Sequence, residues 1–278
     1  MGYLYDQIAA DRYREIEEFA EFLWGEYSVN GRIDPLKILD EKEITYSFGD
    51  YGDAFDGLLE YEDDDFHVYL NQSRLVGIGK PRTRFTASHE LGHYFIDEHR
   101  NGLVSGSLAP HASFTGYQSN QIIEIEADHF ASHLLMPASL FAKKVANGAV
   151  GMEAVLRLSE AFGTSRTACG VRLVKEDILS CALFKWNKDG LHWKFLSDEF
   201  YQSGLRRSIE KGSSAPEGSG TEEVLQSLKK PTGVVRRGTT VNTWFPNISH
   251  ESGKNDILIE ETISLGKFGA LTLVYREP

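Results

Sequence analysis

The residues best suited to chemistry in this sequence stand in the run His89-Glu90-Leu-Gly-His93. If the run is helical, His89 and His93 are four residues apart and share one face of the helix. Two imidazole nitrogens placed in this way can bind one zinc ion at ~2.0–2.1 Å. Glu90 stands between them and can reach a metal-activated water without binding the metal itself. The run therefore predicts a metal centre that needs a further ligand.

A second run, from residue 122 to residue 131, offers that ligand. Glu124 and Asp128 are again four residues apart, so they share one face of a second predicted helix. A catalytic zinc takes three protein ligands and keeps one position for water, and Glu124 completes the set of three. Asp128 can then accept the free ring N–H of a ligating histidine and fix its tautomer. Glu126 is the alternative third ligand, but choosing it would leave Asp128 off the helical face.

In this order and spacing, the two runs resemble the ImmA/IrrE family of metallo-endopeptidases. The resemblance covers about residues 55–175, and three stretches carry it: Arg82-Thr-Arg84-Phe85-Thr86, His89-Glu-Leu-Gly-His93, and Glu124-Ile-Glu-Ala-Asp-His-Phe-Ala-Ser-His-Leu-Leu-Met-Pro137. It implies a small zincin-like protease, usually bacterial or phage-borne. Characterised relatives cleave helix-turn-helix transcriptional repressors, so the resemblance implies a protein substrate that is a transcriptional repressor or a similar regulatory protein.

The resemblance also implies a role for each residue at the metal. His89, His93 and Glu124 are the zinc ligands, and Glu90 is the general base of a peptide-bond hydrolase. The competing interpretation is a non-catalytic metal-binding regulator that recognises a partner. Glu90 favours catalysis, because a structural metal site needs no base.

Residues 100–120 separate the two runs and are predicted to form a loop that borders the cleft. His99, His111 and Tyr117 are candidates to contact the substrate or to stabilise the oxyanion that forms when water attacks a peptide carbonyl. For each of the three, a surface or packed position is the competing interpretation.

Other elements must position these residues. Residues 5–27 predict an amphipathic helix, and Asp34-Pro35 predicts the start of a short one. Residues 44–48, 57–61 and 66–71 predict three strands of a small antiparallel sheet. Such a sheet would offer an edge strand for main-chain pairing with an extended substrate.

The predicted fold class is α+β, in three parts. Residues 1–145 form a zincin-like metallopeptidase domain, and residues 146–178 form a helix-turn-helix-like segment around Gly163. That segment has a thin basic face, so a structural or partner-binding role is favoured over DNA contact. Residues 179–278, which include a predicted strand at 239–245, are expected to form a sheet-rich C-terminal domain, and the resemblance to relatives with appended domains suggests a sensor or substrate-recognition role.

Composition limits the class of protein. The chain of 278 residues is 41% hydrophobic and 25% charged, which is typical of a globular protein of one or two domains. It has no long apolar run and no signal peptide, and its two cysteines are expected to be buried and reduced. A cytoplasmic protein without a membrane partner is therefore expected.

Charge is distributed unevenly along the chain. Residues 1–140 hold 10 basic and 25 acidic residues, a net −15, while the whole chain has a net −12. This charge disfavours nucleic acid and favours a basic partner segment, and solubility alone is the competing interpretation.

Overall fold

The structure is a computed structural model that describes residues 10–75, 77–110, 112–114, 121–146, 150–205, 208–227, 233–247 and 255–277. Contacts divide the chain into two compact units. The first unit holds residues 1–141 and 159–165, and the second holds residues 142–158 and 166–278. Both contain helices and strands, so the predicted α+β class is confirmed. Among the described residues, no helix has the length and apolarity that crossing a bilayer requires.

The elements up to residue 135 belong to the first unit. They are α1 (Ala10–Tyr27), α2 (Pro35–Glu41), β1 (Thr45–Gly49), β2 (Gly57–Glu62), β3 (Asp65–Asn71), α3 (Pro81–Phe95), α4 (Asp97–Ser105) and α5 (Ile122–Leu135). Two helices, α6 (Ala138–Ala146) and α7 (Gly151–Phe162), contain residues of both units.

Local sequence explains where α1 and α2 form. In α1, Ile16, Ala20 and Leu23 recur at helical spacing and are buried. At the start of α2, the Asp34 side chain accepts a hydrogen bond from the Leu36 backbone N–H at 3.2 Å. The predicted cap is therefore present, and it satisfies one of the backbone donors that a helix start leaves open.

The small sheet has the order β1-β3-β2, which makes β2 an edge strand. β2 and β3 form the predicted antiparallel hairpin, and Asp63 and Asp64 turn it with φ values of 52° and 67°. Positive φ at both positions suits a two-residue hairpin turn. The prediction of a wholly antiparallel sheet is wrong, because β1 pairs with β3 in parallel. Hydrophobic patterning does not encode strand direction, so the sequence could not reveal this.

Two further element predictions need correction. The predicted loop at 100–120 starts too early, because α4 continues to Ser105 and ends at Gly106, whose φ of 70° breaks the helix. The predicted strand at 239–245 is wrong over its second half, where residues 241–244 form a short helix. β-branched residues favour strands only weakly, and packing of Val241 and Trp244 in the core outweighs that preference here.

A buried carboxylate joins the small sheet to the start of α3. Asp56 is fully buried just before β2, and it accepts hydrogen bonds from Arg82 Nη2 at 2.8 Å and from Arg74 Nε at 2.6 Å. Its backbone N–H donates to the Ser113 carbonyl at 2.8 Å. A buried charge held in this way costs little, but the same charge without its partners would be expensive.

The second unit is built on one antiparallel sheet of order β5-β4-β8-β7-β6. Its elements are α8 (Arg166–Lys175), β4 (Cys181–Asn187), β5 (Gly190–Leu196), α9 (Asp198–Gln202), α10 (Gly220–Gln226), β6 (Val235–Thr240), α11 (Val241–Trp244), β7 (Ile257–Ser264) and β8 (Ala270–Tyr275). Aromatic side chains fill one core, in which the rings of Phe184 and Trp244 lie 4.8 Å apart.

Polar side chains are also buried in the second unit. Glu260 is fully buried and accepts hydrogen bonds from the Thr221 backbone at 2.7 Å and hydroxyl at 2.8 Å, at the start of α10. The predicted buried, unpaired thiols are present as Cys169 and Cys181, and burial raises the pKa of both above the ordinary value. Arg172 on α8 is buried against Glu176, so it does not add to a basic surface.

Replacing Asp56 by alanine should lower the free energy of unfolding by about 3 kcal/mol, because Arg74 and Arg82 lose a buried partner. Urea denaturation followed by circular dichroism measures the change. Asp53→Ala is the matched control, since Asp53 contacts the same Arg74 at 3.0 Å but its side chain is 99% exposed. The control should show little change, and equal losses in the two variants would contradict this account of Asp56.

Candidate metal centre

Two helices of the first unit, α3 and α5, pack against each other and carry the candidate ligands. Their contact is close at Gly92, where an added Cβ would lie 3.1 Å from Ala127 Cα and 3.2 Å from the Phe130 ring. A larger residue would push the helices apart. Gly92 therefore lets side chains of normal length converge from both helices on one point.

Two nitrogen and two oxygen atoms, from three side chains, meet at that point. His89 Nε2 lies 3.1 Å from His93 Nε2 and 3.4 Å from Glu124 Oε2, and His93 Nε2 lies 3.1 Å from Glu124 Oε1. Ligands at ~2.0–2.1 Å from one tetrahedral ion stand roughly 3.3 Å from one another. The observed separations match that spacing, so these three side chains fit a divalent metal ion as a donor set.

A hydrogen bond fixes the orientation of His89. Its Nδ1 donates to Asp128 Oδ1 at 2.9 Å, which leaves Nε2 directed at the other two candidate ligands. Burial disfavours the charged form of His89, but hydrogen bonds with Asp128 and Glu124 outweigh this and raise its pKa well above the ordinary value. The site thus attracts positive charge at the place where a cation would bind.

His93 is held by a longer chain of contacts. Its Nδ1 lies 3.2 Å from His99 Nδ1, and His99 Nε2 lies 3.1 Å from Glu126 Oε2. Arg12 on α1 then pairs with both oxygens of Glu126, at 3.2 Å and 3.0 Å. Burial lowers the pKa of His93 to about 3, so its ring is neutral, which is the form that binds a metal.

Glu126 belongs to this support and not to the triangle of ligand atoms. Burial favours its protonated form, but hydrogen bonds from His99 and Arg12 outweigh burial and lower its pKa. The alternative of Glu126 as third ligand therefore receives no geometrical support, whereas Glu124 reaches both histidines.

Glu90 is almost completely buried and lies against the first residue of β2. A Cβ added to Gly57 would lie 2.5 Å from Glu90 Oε1 and 2.5 Å from Thr86 Cγ2, so the backbone of β2 passes directly beside the carboxylate. Only glycine at position 57 permits this approach. The charge of Glu90 also raises the pKa of His89, but it is a smaller cause than the burial and hydrogen bonds already described.

Of the three candidates from the loop region, the structure describes only His99. His99 lies behind His93, with its Nδ1 3.2 Å from His93 Nδ1, and its role as an oxyanion or substrate contact remains a prediction. His111 and Tyr117 lie outside the described residues, so they remain predictions. Sequence reasoning did not identify Arg12, because its partner Glu126 is 114 residues away. The sequence signal for such a partner was Glu126, because an acidic residue on a buried helix requires a cation nearby.

Comparison with known proteins agrees with this geometry. Residues 62–174 match the family described as peptidase M78, IrrE N-terminal-like domain. A solved structure described as a Mycobacterium tuberculosis transcriptional regulator is similar with a TM-score of 0.58. It is 15% identical, and the alignment covers 95% of this chain and 78% of that one, a likeness that shows the fold alone. The comparison with curated proteins found no match.

Glu124→Ala should abolish tight metal binding, because it removes one of three converging ligand atoms. Glu126→Ala should keep the site but weaken it by ~10–100-fold, since it releases His99 and so loosens His93. Titration with Zn²⁺ against a competing chromophoric chelator measures both affinities. The assignment on α5 is wrong if Glu126→Ala loses the tight site and Glu124→Ala keeps it.

Proposed function

We propose that this chain, which belongs to the ImmA/IrrE family through its residues 62–174, is a zinc-dependent endopeptidase. The observation that carries the proposal is the convergence of His89, His93 and Glu124 beside a buried carboxylate that is not one of the ligands, Glu90. Two imidazoles and one carboxylate are a donor set of catalytic zinc sites, which keep one position open for water.

The chemistry that a bound zinc ion supplies in such a site is Lewis acidity, which makes water acidic enough to attack near pH 7 and polarises a carbonyl. Glu90 performs the proton transfers. It accepts a proton from the attacking water as the C–O bond forms, and it delivers that proton to the leaving amine nitrogen as the C–N bond breaks.

The residues behind the ligands keep the geometry constant through the reaction. Asp128 holds His89, while His99 and Glu126 hold His93. An imidazole whose second nitrogen is already hydrogen-bonded cannot rotate away or change tautomer without losing that bond. These residues act through the ligands and do not touch the substrate.

The edge of β2 supports a binding mode for the substrate. The Gly57 N–H and C=O pair with Ser113 at 3.4 Å and 3.0 Å, so the backbone of Gly57 points away from β3. Backbone direction alternates along a strand, and Leu59 and Tyr61 therefore present their N–H and C=O groups to the same edge. An extended substrate segment that pairs with Leu59 and Tyr61 would follow Ser113 along this edge, next to the place where Gly57 abuts the Glu90 carboxylate.

Charge favours a basic protein segment as the substrate. Residues 1–140 carry a net −15, and they include the metal-site residues and β2. The resemblance to repressor-cleaving relatives makes a helix-turn-helix transcriptional repressor, or a similar regulatory protein, the proposed target. Such proteins carry basic DNA-binding surfaces that an acidic protease would attract.

A non-catalytic regulator is the second candidate function. The similar solved structure is described as a transcriptional regulator, and the likeness extends over 95% of this chain. In that case the metal would hold α3 and α5 together while the rest of the chain recognised a partner. Only the protease requires Glu90, because a purely structural metal site needs no general base.

Glu90→Gln separates the two. The variant keeps all three ligands, so it should bind zinc as tightly as the unchanged chain. Its hydrolysis rate should fall by ~10²–10⁴-fold, because the amide cannot accept a proton. The assay follows cleavage of helix-turn-helix repressor proteins, and of quenched-fluorescent basic peptides, by the zinc-loaded protein.

Glu41→Gln is the control. It makes the same change on the exposed end of α2, which carries no candidate ligand or base, and should leave the rate unaltered. Hydrolysis at the full rate by Glu90→Gln would exclude Glu90 as the base. A zinc-loaded, folded wild-type chain that cleaves neither substrate would favour the non-catalytic regulator.

A further inference from the structure

The first unit contains a second group of metal-ligating side chains, and we infer that Glu17, His129 and His133 form a separate site for a divalent transition-metal ion. His129 Nε2 lies 3.0 Å from Glu17 Oε1, and His133 Nε2 lies 3.3 Å from the same oxygen. The ligand atoms of the three residues all lie within 4.8 Å of one another. The inference does not rest on the proposed protease activity.

The spacing of the two histidines repeats that of the first centre. His129 and His133 are four residues apart on α5, so their rings project from one face, with centroids 4.4 Å apart. Glu17 reaches them from α1, which packs against α5. Each centre thus consists of an i, i+4 histidine pair on one helix and a glutamate from another helix.

The two centres use different faces of α5. At 100° per residue, His129 and His133 lie roughly 140° and 180° around the helix from Glu124. Glu124 faces the histidines of α3, whereas His129 and His133 face α1. No ligand is shared, so each centre can be occupied or emptied by itself.

The donor set and its surroundings indicate which ion fits. Two imidazole nitrogens and one carboxylate suit Zn²⁺, Co²⁺, Ni²⁺ or Cu²⁺ better than the all-oxygen preference of Mg²⁺ or Ca²⁺. The helix that supplies Glu17 carries six carboxylates against two arginines, a net −4 that attracts cations. Glu21, one turn further along α1, accepts from the Ser139 backbone N–H at 3.3 Å, so its carboxylate is already engaged.

Exposure makes this site weaker and more exchangeable than the first. The Glu17 side chain is 38% exposed and that of His129 is 11% exposed, while His133 is buried at 1%. An ion can therefore reach the ligands from solvent, and water can complete its coordination. In the first centre all three ligands are buried, so exchange there should be slower.

The same three groups also interact without an ion, as two imidazole N–H groups donating to one carboxylate oxygen. A metal ion replaces both donated protons, because it needs the Nε2 lone pairs instead. Occupation would fasten α1 to α5. It would also restrict the movement of Arg12, which precedes Glu17 by five residues on α1. Arg12 pairs with Glu126 behind the first centre.

The test is metal stoichiometry of the full chain. Protein dialysed against a slight excess of Zn²⁺ should contain two equivalents by elemental analysis, and a moderate chelator should remove one before the other. Glu17→Gln should hold a single, tightly bound equivalent, because the amide is a poor ligand of similar shape. Glu124→Ala should lose the tight equivalent and keep the weak one.

Glu18→Gln is the matched control, since Glu18 is the exposed neighbour on α1 and loses the same charge. It should retain both equivalents. Loading with Co²⁺ gives an independent readout, because d–d absorption bands should appear in two steps in the control and in one step in Glu17→Gln. His129→Gln, checked for folding by circular dichroism, should behave like Glu17→Gln.

Two results would overturn the inference: a single equivalent in the unchanged chain at millimolar Zn²⁺, or two equivalents retained by both Glu17→Gln and His129→Gln. The first would mean that the three groups are only a hydrogen-bonded cluster, and the second that any additional ion binds elsewhere.

Discussion

The close approach of α3 and α5 at Gly92 is the constraint on which the candidate centre depends. A Cβ added to Gly92 would lie 3.1 Å from Ala127 Cα, so any side chain there would require the two backbones to separate by a few tenths of an ångström. Glutamate and histidine side chains reach only a few ångströms, so an increase in helix separation would open the triangle of ligand atoms. The close packing of the two backbones therefore limits how far apart the candidate ligands can stand.

The second constraint is the cost of burying charge. Glu90, Glu124, Glu126 and Asp128 are all buried in a small volume of the first unit, and buried carboxylates are costly unless paired. Arg12 compensates Glu126, while Asp128 and Glu124 raise the pKa of His89 and so draw a proton to the site. A divalent ion would supply the same compensation more strongly, which is a physical reason for this group of residues to bind one.

Much of the centre could be predicted because it is local. His89, His93, Glu124 and Asp128 stand at helical spacing within two short runs, and their chemistry limits how they can be combined. His99 was predicted as a substrate or oxyanion contact, and its hydrogen bond to His93 was not predicted, because that bond depends on the turn between α3 and α4. Arg12 could not be found, since nothing near it in sequence indicates a partner 114 residues away.

The same distinction holds for the fold. The hairpin of β2 and β3 follows from Asp63-Asp64 and from alternation, both of which are local, and it was predicted. The parallel pairing of β1 with β3 depends on a connection across the sheet, and the short helix at 241–244 depends on packing of Val241 and Trp244 in the core. Long-range contacts decided these elements, and residue patterns do not record them.

The rotational setting of α5 and the geometry of the candidate centre depend on each other. It is buried on most of its circumference, and it buries polar groups in three directions: Glu124 and Asp128 towards α3, Glu126 towards His99 and Arg12, and His133 towards Glu17. An apolar helix could rotate about its axis and still fill the same space. Rotation of α5 by one residue, about 100°, would remove every one of these partners at once and leave buried charges unpaired. The polar contacts therefore select one rotational setting of α5, and that setting is the one that directs Glu124 at the two histidines.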